Sequence, residues 1–406
     1  MAAKIGSSAA AVLAVALASL TSDVDADASP LTVLYAFQGG SDGSYPVGGV
    51  IIDHSGNLIG TTSQGGSSPS SAGAVFELTP KGRSYSKTTL WSFSGADGSG
   101  PNSVPLEDAS GNLFQVLPNG GQYNYGTLVE LSPAGSAYQE SALYSFGNAN
   151  DGRTPNGPPL AFQGNLFTTT LEGNTGKRPG ESKTGTLVEF TTAELVETSI
   201  FDFSQARGTR PQSLAAMDVT GALYGGTQLG GSQGCGVLYK FVPTPTGGAE
   251  TVLWDFQCGY NDGAQPFGNV VVDSDGDIYG VTVGGGQFGD GALYELIPSG
   301  QSYKEKILHS FRGQTDGIYP TTGLILVGDT MYGATYAGGG GYGCNPGCGT
   351  IFSLSSSRKY HVIHRFAGSD GQAPQGILTS DGQALYGTAI YGGTMSYDGL
   401  VYRMKI

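Results

Sequence analysis

The sequence predicts an all-β fold: a seven-bladed β-propeller of four-stranded antiparallel blades, closed by pairing of the N-terminal strand with the last blade. Three observations predict it. One phrase returns seven times, marked by Phe37, Phe93, Phe146, Phe203, Phe256, Phe311 and Phe366, at spacings of 56, 53, 57, 53, 55 and 55 residues. Each unit holds four short runs with strand patterning separated by turn residues. The chain ends are complementary: Leu31 to Phe37 is a lone fourth-type strand, and the last unit stops after its third strand, Leu400 to Lys405.

In the first unit the strands are expected at Gly49 to Asp53, Leu58 to Thr62, Ala74 to Leu78 and Lys87 to Phe93, joined by HSGN, a Gly/Ser loop and TPKGRSYS. Such a meander cannot bury both faces alone and must stack on its neighbours, and radial stacking does this for four to eight sheets. An open solenoid is the alternative, which normally shows distinct capping units at its ends. With 69 Gly and 20 Pro in 406 residues, a helical bundle is excluded. A hydrophobic share of 38% argues against disorder. The seven units fill residues 29–406 as a single domain, expected to be a monomer.

Lys4, the apolar stretch Ala9 to Leu20 and the small-x-small site ending at Ala28 read as a signal peptide over residues 1–28. The apolar run is too short for a membrane span, so no span is expected, and the mature chain is expected to be secreted or periplasmic. The net charge of −14 repels phosphates and excludes nucleic acid as a partner.

The units resemble the tandem-repeat proteins called GloVer-repeat or "choice-of-anchor" proteins. Asp42-Gly43 with Pro46, GNLIGTT from Gly56, Gly65-Gly66 and GAVFEL from Gly73 carry the resemblance, which covers the whole mature chain. Some members carry a C-terminal surface anchor, which is not expected here because the sequence ends inside its last repeat. The family is defined by its repeat, so the resemblance implies no reaction.

Strand reversal puts two loop classes on one face: the loop entering each blade, ending at Pro46, Pro101, Pro155, Pro211, Pro266, Pro320 or Pro374, and the Gly-doublet loop between second and third strands. The short D-x-x-G-N turns fall on the other face. Long variable loops on a rigid scaffold are where binding usually sits. Asp42, Asp97, Asp151, Asp262, Asp316 and Asp370 precede Gly in six entering loops. They read either as a carboxylate ring around the channel or as turn residues accepting local N–H bonds, and repetition in six units favours the turn.

The fourth unit departs from the repeat with Arg207 in place of Asp and Arg210 nearby. The third adds Arg153 and an insertion bearing Lys177, Arg178 and Lys183. Such a basic cluster suits a carboxylate or sulfate group, and a solvated loop surface is the alternative. Tyr45, Tyr123, Tyr125, Tyr260, Phe267, Phe288, Tyr319, Tyr336, Tyr342, Tyr391 and Tyr397 are placed in these loops, where Tyr suits sugar rings or a protein partner. The expected ligand-binding set is Arg153, Lys177, Arg178, Arg207, Arg210, Tyr260, Tyr319 and Tyr336.

Asp273, Asp275 and Asp277 resemble the start of a calcium loop, but Gly284 stands where an EF-hand needs Glu, so a tight turn is favoured; no other cofactor is expected. Four cysteines in an exported chain point to disulfides, expected as Cys235–Cys258 and Cys344–Cys348, with a shared zinc site as the rival. No Ser-His-Asp order or H-E-x-x-H motif exists among His54, His309, His361 and His364. The reading is a binding module for a glycan or an extracellular or envelope partner. The alternatives are a lyase-like enzyme on polyanionic carbohydrate, using Arg153, Arg178, Arg207 and Arg210, and a purely structural surface protein.

Overall fold

The computed structural model describes residues 31–406 apart from 136, 148–150, 174–183, 192–195, 245–246, 341–343 and 394–396. It contains seven antiparallel sheets, six of them meanders running in chain order from an inner to an outer strand. Blade 1 is built from Val50–Ile52, Leu58–Thr62, Ala74–Lys81 and Ser84–Ser92. Its last connection differs from the expected loop: Lys81 pairs with Ser84, so only Gly82 and Arg83 turn the chain. Gly82 has φ +64°, the left-handed first position that a two-residue Gly-x hairpin requires.

The ring closes as the chain ends predict. Leu31–Ala36 pairs with Leu400–Lys405 and completes blade 7. Six outer strands carry a bulge at the same height, for example between Val75 and Phe76 or between Leu293 and Tyr294. The closing strand repeats it between Val33 and Tyr35, although its partner lies at the far end of the chain.

Apolar burial is concentrated at the seams between blades, in seven clusters. Each repeat phenylalanine is at most 3% exposed and packs against the third strand of the following blade. Phe37, Phe256 and Phe311 meet Phe76, Tyr294 and Phe352 edge-on at 5.1, 5.4 and 5.5 Å. Edge-to-face contact is the arrangement favoured by the ring quadrupole.

A size rule couples the second and third strands. Gly60, Gly225, Gly280, Gly333 and Gly387 sit directly opposite Phe76, Tyr239, Tyr294, Phe352 and Tyr402. A Cβ at Gly280 would lie 2.3 Å from the Tyr294 hydroxyl. Where the third-strand residue shrinks to Val129 or Val188, its partner grows to Gln115 or Thr168. Volume is conserved across the pair, as a close-packed interior demands.

A second device locks each blade to the one before it. The residue preceding each loop proline has positive φ in all seven blades: Tyr45, Gly100, Thr154, Arg210, Gln265, Tyr319 and Ala373. Its N–H donates across the seam to the carbonyl just before the third-strand Gly of the preceding blade, as in Arg210 to Thr184 (3.0 Å) and Tyr319 to Asp290 (3.0 Å). The proline ring then rests on that Gly, where a Cβ would come within 2.5 Å of Pro46 Cδ at Gly399 and within 2.8 Å of Pro320 Cδ at Gly291. The repeated Pro and Gly are therefore two halves of one joint.

Candidate functional site

The entering and doublet loops do share a face, because they bond to each other within each blade: Gly66 N–H donates to Gly40 O (3.0 Å), Gly121 to Gly95 (3.0 Å) and Gly286 to Asp262 (2.8 Å). The seven pre-proline residues form a ring where the inner strands begin. Next to them Asn102 Nδ2 donates to Asn156 Oδ1 (2.8 Å) and the Asn156 amide donates to the Gln212 carbonyl, linking blades 2, 3 and 4.

The repeated Asp residues serve the turn. Each carboxylate accepts the N–H just after the buried phenylalanine and a ring donor two residues before it. Asp97 takes Ser94 N (2.7 Å) and Trp91 Nε1 (3.0 Å), Asp151 takes Gly147 N (3.0 Å) and Tyr144 Oη (2.7 Å), and Asp316 takes Arg312 N (2.7 Å) with His309 Nε2 at 2.8 Å. In blade 4 the set is exchanged as a group. The ring becomes Phe201, which has no donor, and the Asp becomes Arg207, whose guanidinium lies 5.8 Å from that ring. Arg207 Nη1 also pairs at 3.3 Å with Glu250, a carboxylate only 1% exposed. Blade 1 shows the same pair with signs reversed, Lys87 to Asp42 at 3.0 Å.

Blade 5 places two acids in this position. Burial and the hydrogen bond to Asp262 push Glu305 up to about 9, against an ordinary 4.5. Between these values folded Glu305 keeps a proton that the unfolded chain gives up, so stability falls as pH rises through that window. Glu305→Gln keeps an N–H donor for Asp262 and cannot ionise. It is expected to raise the melting midpoint by several degrees at about pH 8 and to leave it nearly unchanged at about pH 4, where wild-type Glu305 is protonated in both states. Equal shifts at both pH values would refute the shared proton.

Of the expected binding residues, Arg210 is exposed on the pre-proline ring, and so is Tyr319, 46% exposed. Arg153 stacks on Tyr125 at 3.7 Å, and its Nε has no hydrogen-bond partner among the described residues. Tyr260, 79% exposed, sits over an open hollow lined with Asn261, Gln287, Ile307 and Ser310. Tyr336 lies at the end of the strand Thr330–Ala337, half-buried, with its hydroxyl pushed up by burial. Tyr391 and Phe267 likewise belong to strands. Lys177, Arg178, Lys183 and Tyr342 lie outside the described residues, as does the segment 1–28.

Asp273 does what Asp53 and Asp108 do: its Oδ1 accepts the N–H groups of Asp275 (3.0 Å) and Asp277 (2.9 Å). Both disulfides are present as paired, Cys235–Cys258 and Cys344–Cys348, with Cα separations of 5.6 and 5.2 Å. The first ties a doublet loop of blade 4 to the loop entering blade 5, at the joint where Gln265 N–H donates to Cys235 O (2.7 Å). Among the described residues no helix is long and apolar enough to cross a membrane.

A closed ring of seven four-stranded blades carrying one loop-rich face defines a seven-bladed β-propeller. The chain belongs to the Gloeobacter/Verrucomicrobia repeat family, whose model matches residues 21–178, 105–345 and 244–406. No curated protein matches it in sequence. Among solved structures it is similar to oligogalacturonate lyase from Vibrio parahaemolyticus, at TM-score 0.56 and 12% identity over 95% of this chain and 96% of that one. It is also similar to a puromycin hydrolase mutant, at TM-score 0.55 and 13% identity over 86% of this chain and 50% of that one. A putative 6-phosphogluconolactonase from Bacteroides uniformis matches at TM-score 0.50 and 11% identity, over 78% of this chain and 83% of that one. At these identities the likeness is one of fold.

Proposed function

We propose that the protein is an exported binding module that takes a glycan on its loop-rich face, around the mouth of the central channel. One observation carries the reading. The exposed aromatic side chains among the described residues are Tyr123, Tyr260, Phe288, Tyr319 and Tyr397; four stand in loops of this face, and Tyr319 stands in the short strand Ile318–Pro320 that opens an inner strand there. Flat rings with hydrogen-bonding tips on the loop face of a rigid scaffold suit sugar. Residues 1–28 as an export signal and the two disulfides support a secreted or periplasmic location.

The test is retention of the purified chain on a glycan panel that includes neutral and uronic-acid polymers. Arg210→Ala with Tyr319→Ala is expected to weaken binding about tenfold or more with the melting midpoint unchanged, since both side chains stand in water. Retention equal to wild type, or no glycan retained by either protein, would reject the site.

A second reading, a lyase-like enzyme on acidic polysaccharide, is favoured by Arg153 on Tyr125: a cation to neutralise a uronate carboxylate beside a phenol to take the adjacent proton. Unsaturated product from polygalacturonate, abolished by Tyr125→Phe, would support it. Retention without product supports the binding module.

A further inference from the structure

Eight residues before the buried phenylalanine, the repeat supplies Tyr85, Tyr138, Tyr303 and Arg358. Each reaches back across a seam to one place on the preceding blade. Tyr85 packs on the cluster holding Tyr386, Tyr138 on that holding Ile59, and Tyr303 on that holding Tyr224. Arg358 bonds Glu295 and Tyr279. The place is a cross-strand pair on that blade: Ile59 opposite Glu77, Tyr224 opposite Lys240, Tyr279 opposite Glu295.

The series is broken twice: by Leu195 of blade 3, which lies outside the described residues, and by Gly248 of blade 4. The receiving pair on blade 3 is intact, Phe167 opposite Glu189. Between them lies a cavity of about 680 Å³, lined by Phe162, Phe167 and Ile200 on its apolar side and by Asn165, Glu189 and Thr198 on its polar side. Its size falls within the usual range for small-molecule sites. Blade 4 cannot fill it from position 248, because Phe241 stands where blades 1, 2 and 5 have Leu78, Leu131 and Leu296. A Cβ at Gly248 would lie 2.2 Å from the Phe241 ring.

We propose that this seam, on the face opposite the long loops, binds a small neutral phenol in the place that tyrosine rings occupy at three other seams. The ring would pack on Phe167, Phe162 and Ile200 as Tyr138 packs on its own seam. The hydroxyl would donate to the Glu189 carboxylate, whose Oε1 is fixed by Asn165 Nδ2 at 2.5 Å. At its own seam Tyr138 lies within electrostatic reach of Glu77, the counterpart of Glu189, while its hydroxyl donates to Gly111 O (3.5 Å). The same carboxylate repels an aromatic anion, so a phenol is selected over a benzoate.

The experiment titrates 4-methylphenol and benzoate into the full chain, followed by ligand-observed NMR. Saturable binding of 4-methylphenol at one site is expected, with benzoate at least about tenfold weaker. Phe241→Leu with Gly248→Tyr copies blades 1, 2 and 5 and is expected to abolish phenol binding while holding or raising the melting midpoint. If that double variant does not fold, Thr198→Tyr closes the mouth from an exposed position and is expected to abolish binding alone. No saturable binding by wild type, equal binding of benzoate, or undiminished binding after either substitution in a folded protein would overturn the site.

Discussion

Removing residues 31–37 is expected to leave a protein with no cooperative unfolding transition at the wild-type temperature. Leu31–Ala36 is the outer strand of blade 7 and covers the edge of Leu400–Lys405. Without it that strand presents unpaired N–H and C=O groups, the template on which chains pair with one another. Phe37, 1% exposed, is also lost from its cluster with Val50, Leu58, Phe76, Leu78 and Val401. The seam that joins the first blade to the last would then be hollow at its centre. Phe37→Ala alone isolates the packing part of this loss, about 3–5 kcal/mol by comparison with buried Phe truncations. Denaturant unfolding of both proteins separates closure from packing, since the strand deletion should exceed the point substitution. A deletion that unfolds at the wild-type midpoint would mean that the ring is not held by its amino end.

The ring was legible because its evidence is periodic: seven phenylalanines, seven prolines and a strand missing at one end and spare at the other. Both disulfides were legible as well, because their loops fall on one face. The lengths of the outer hairpins were not, since polar Thr79 and Tyr85 look like loop until Lys81 is seen to pair with Ser84. The Pro–Gly joint was also hidden, because its halves lie in different units and no spacing within one unit shows it.

Arg207 is the instructive case at the site. Sequence marks it as a departure from Asp and hence as a binding residue. The departure extends to Phe201, which has lost its ring donor, and it sets Arg207 against Glu250, an acid that blade 4 shares with blades 2 and 5. Comparing whole columns of the repeat would have shown two positions changing together, opposite a Glu that blades 2 and 5 also carry as Glu140 and Glu305, which signals internal compensation. Arg210 is exposed as well, and its backbone N–H serves the joint to Thr184.

The same column comparison yields the second large effect. Gly280→Thr places a branched side chain where a single Cβ already lies 2.3 Å from the Tyr294 hydroxyl, at the centre of the seam between blades 4 and 5. Tyr294 is fully buried and has no space to retreat into, so overpacking is expected to cost about 3 kcal/mol. Tyr294→Val alone opens a cavity and is expected to cost about 3 kcal/mol for the opposite reason. Together they recreate Thr168 opposite Val188 of blade 3, a pair that the same fold already accommodates. The double variant should therefore be more stable than the sum of the single losses by about 2 kcal/mol, the coupling found between residues in direct contact. Chemical denaturation of the four proteins measures the cycle. Strict additivity would show that glycine and the large ring are tolerated independently, and that the exchange in blades 2 and 3 is coincidence.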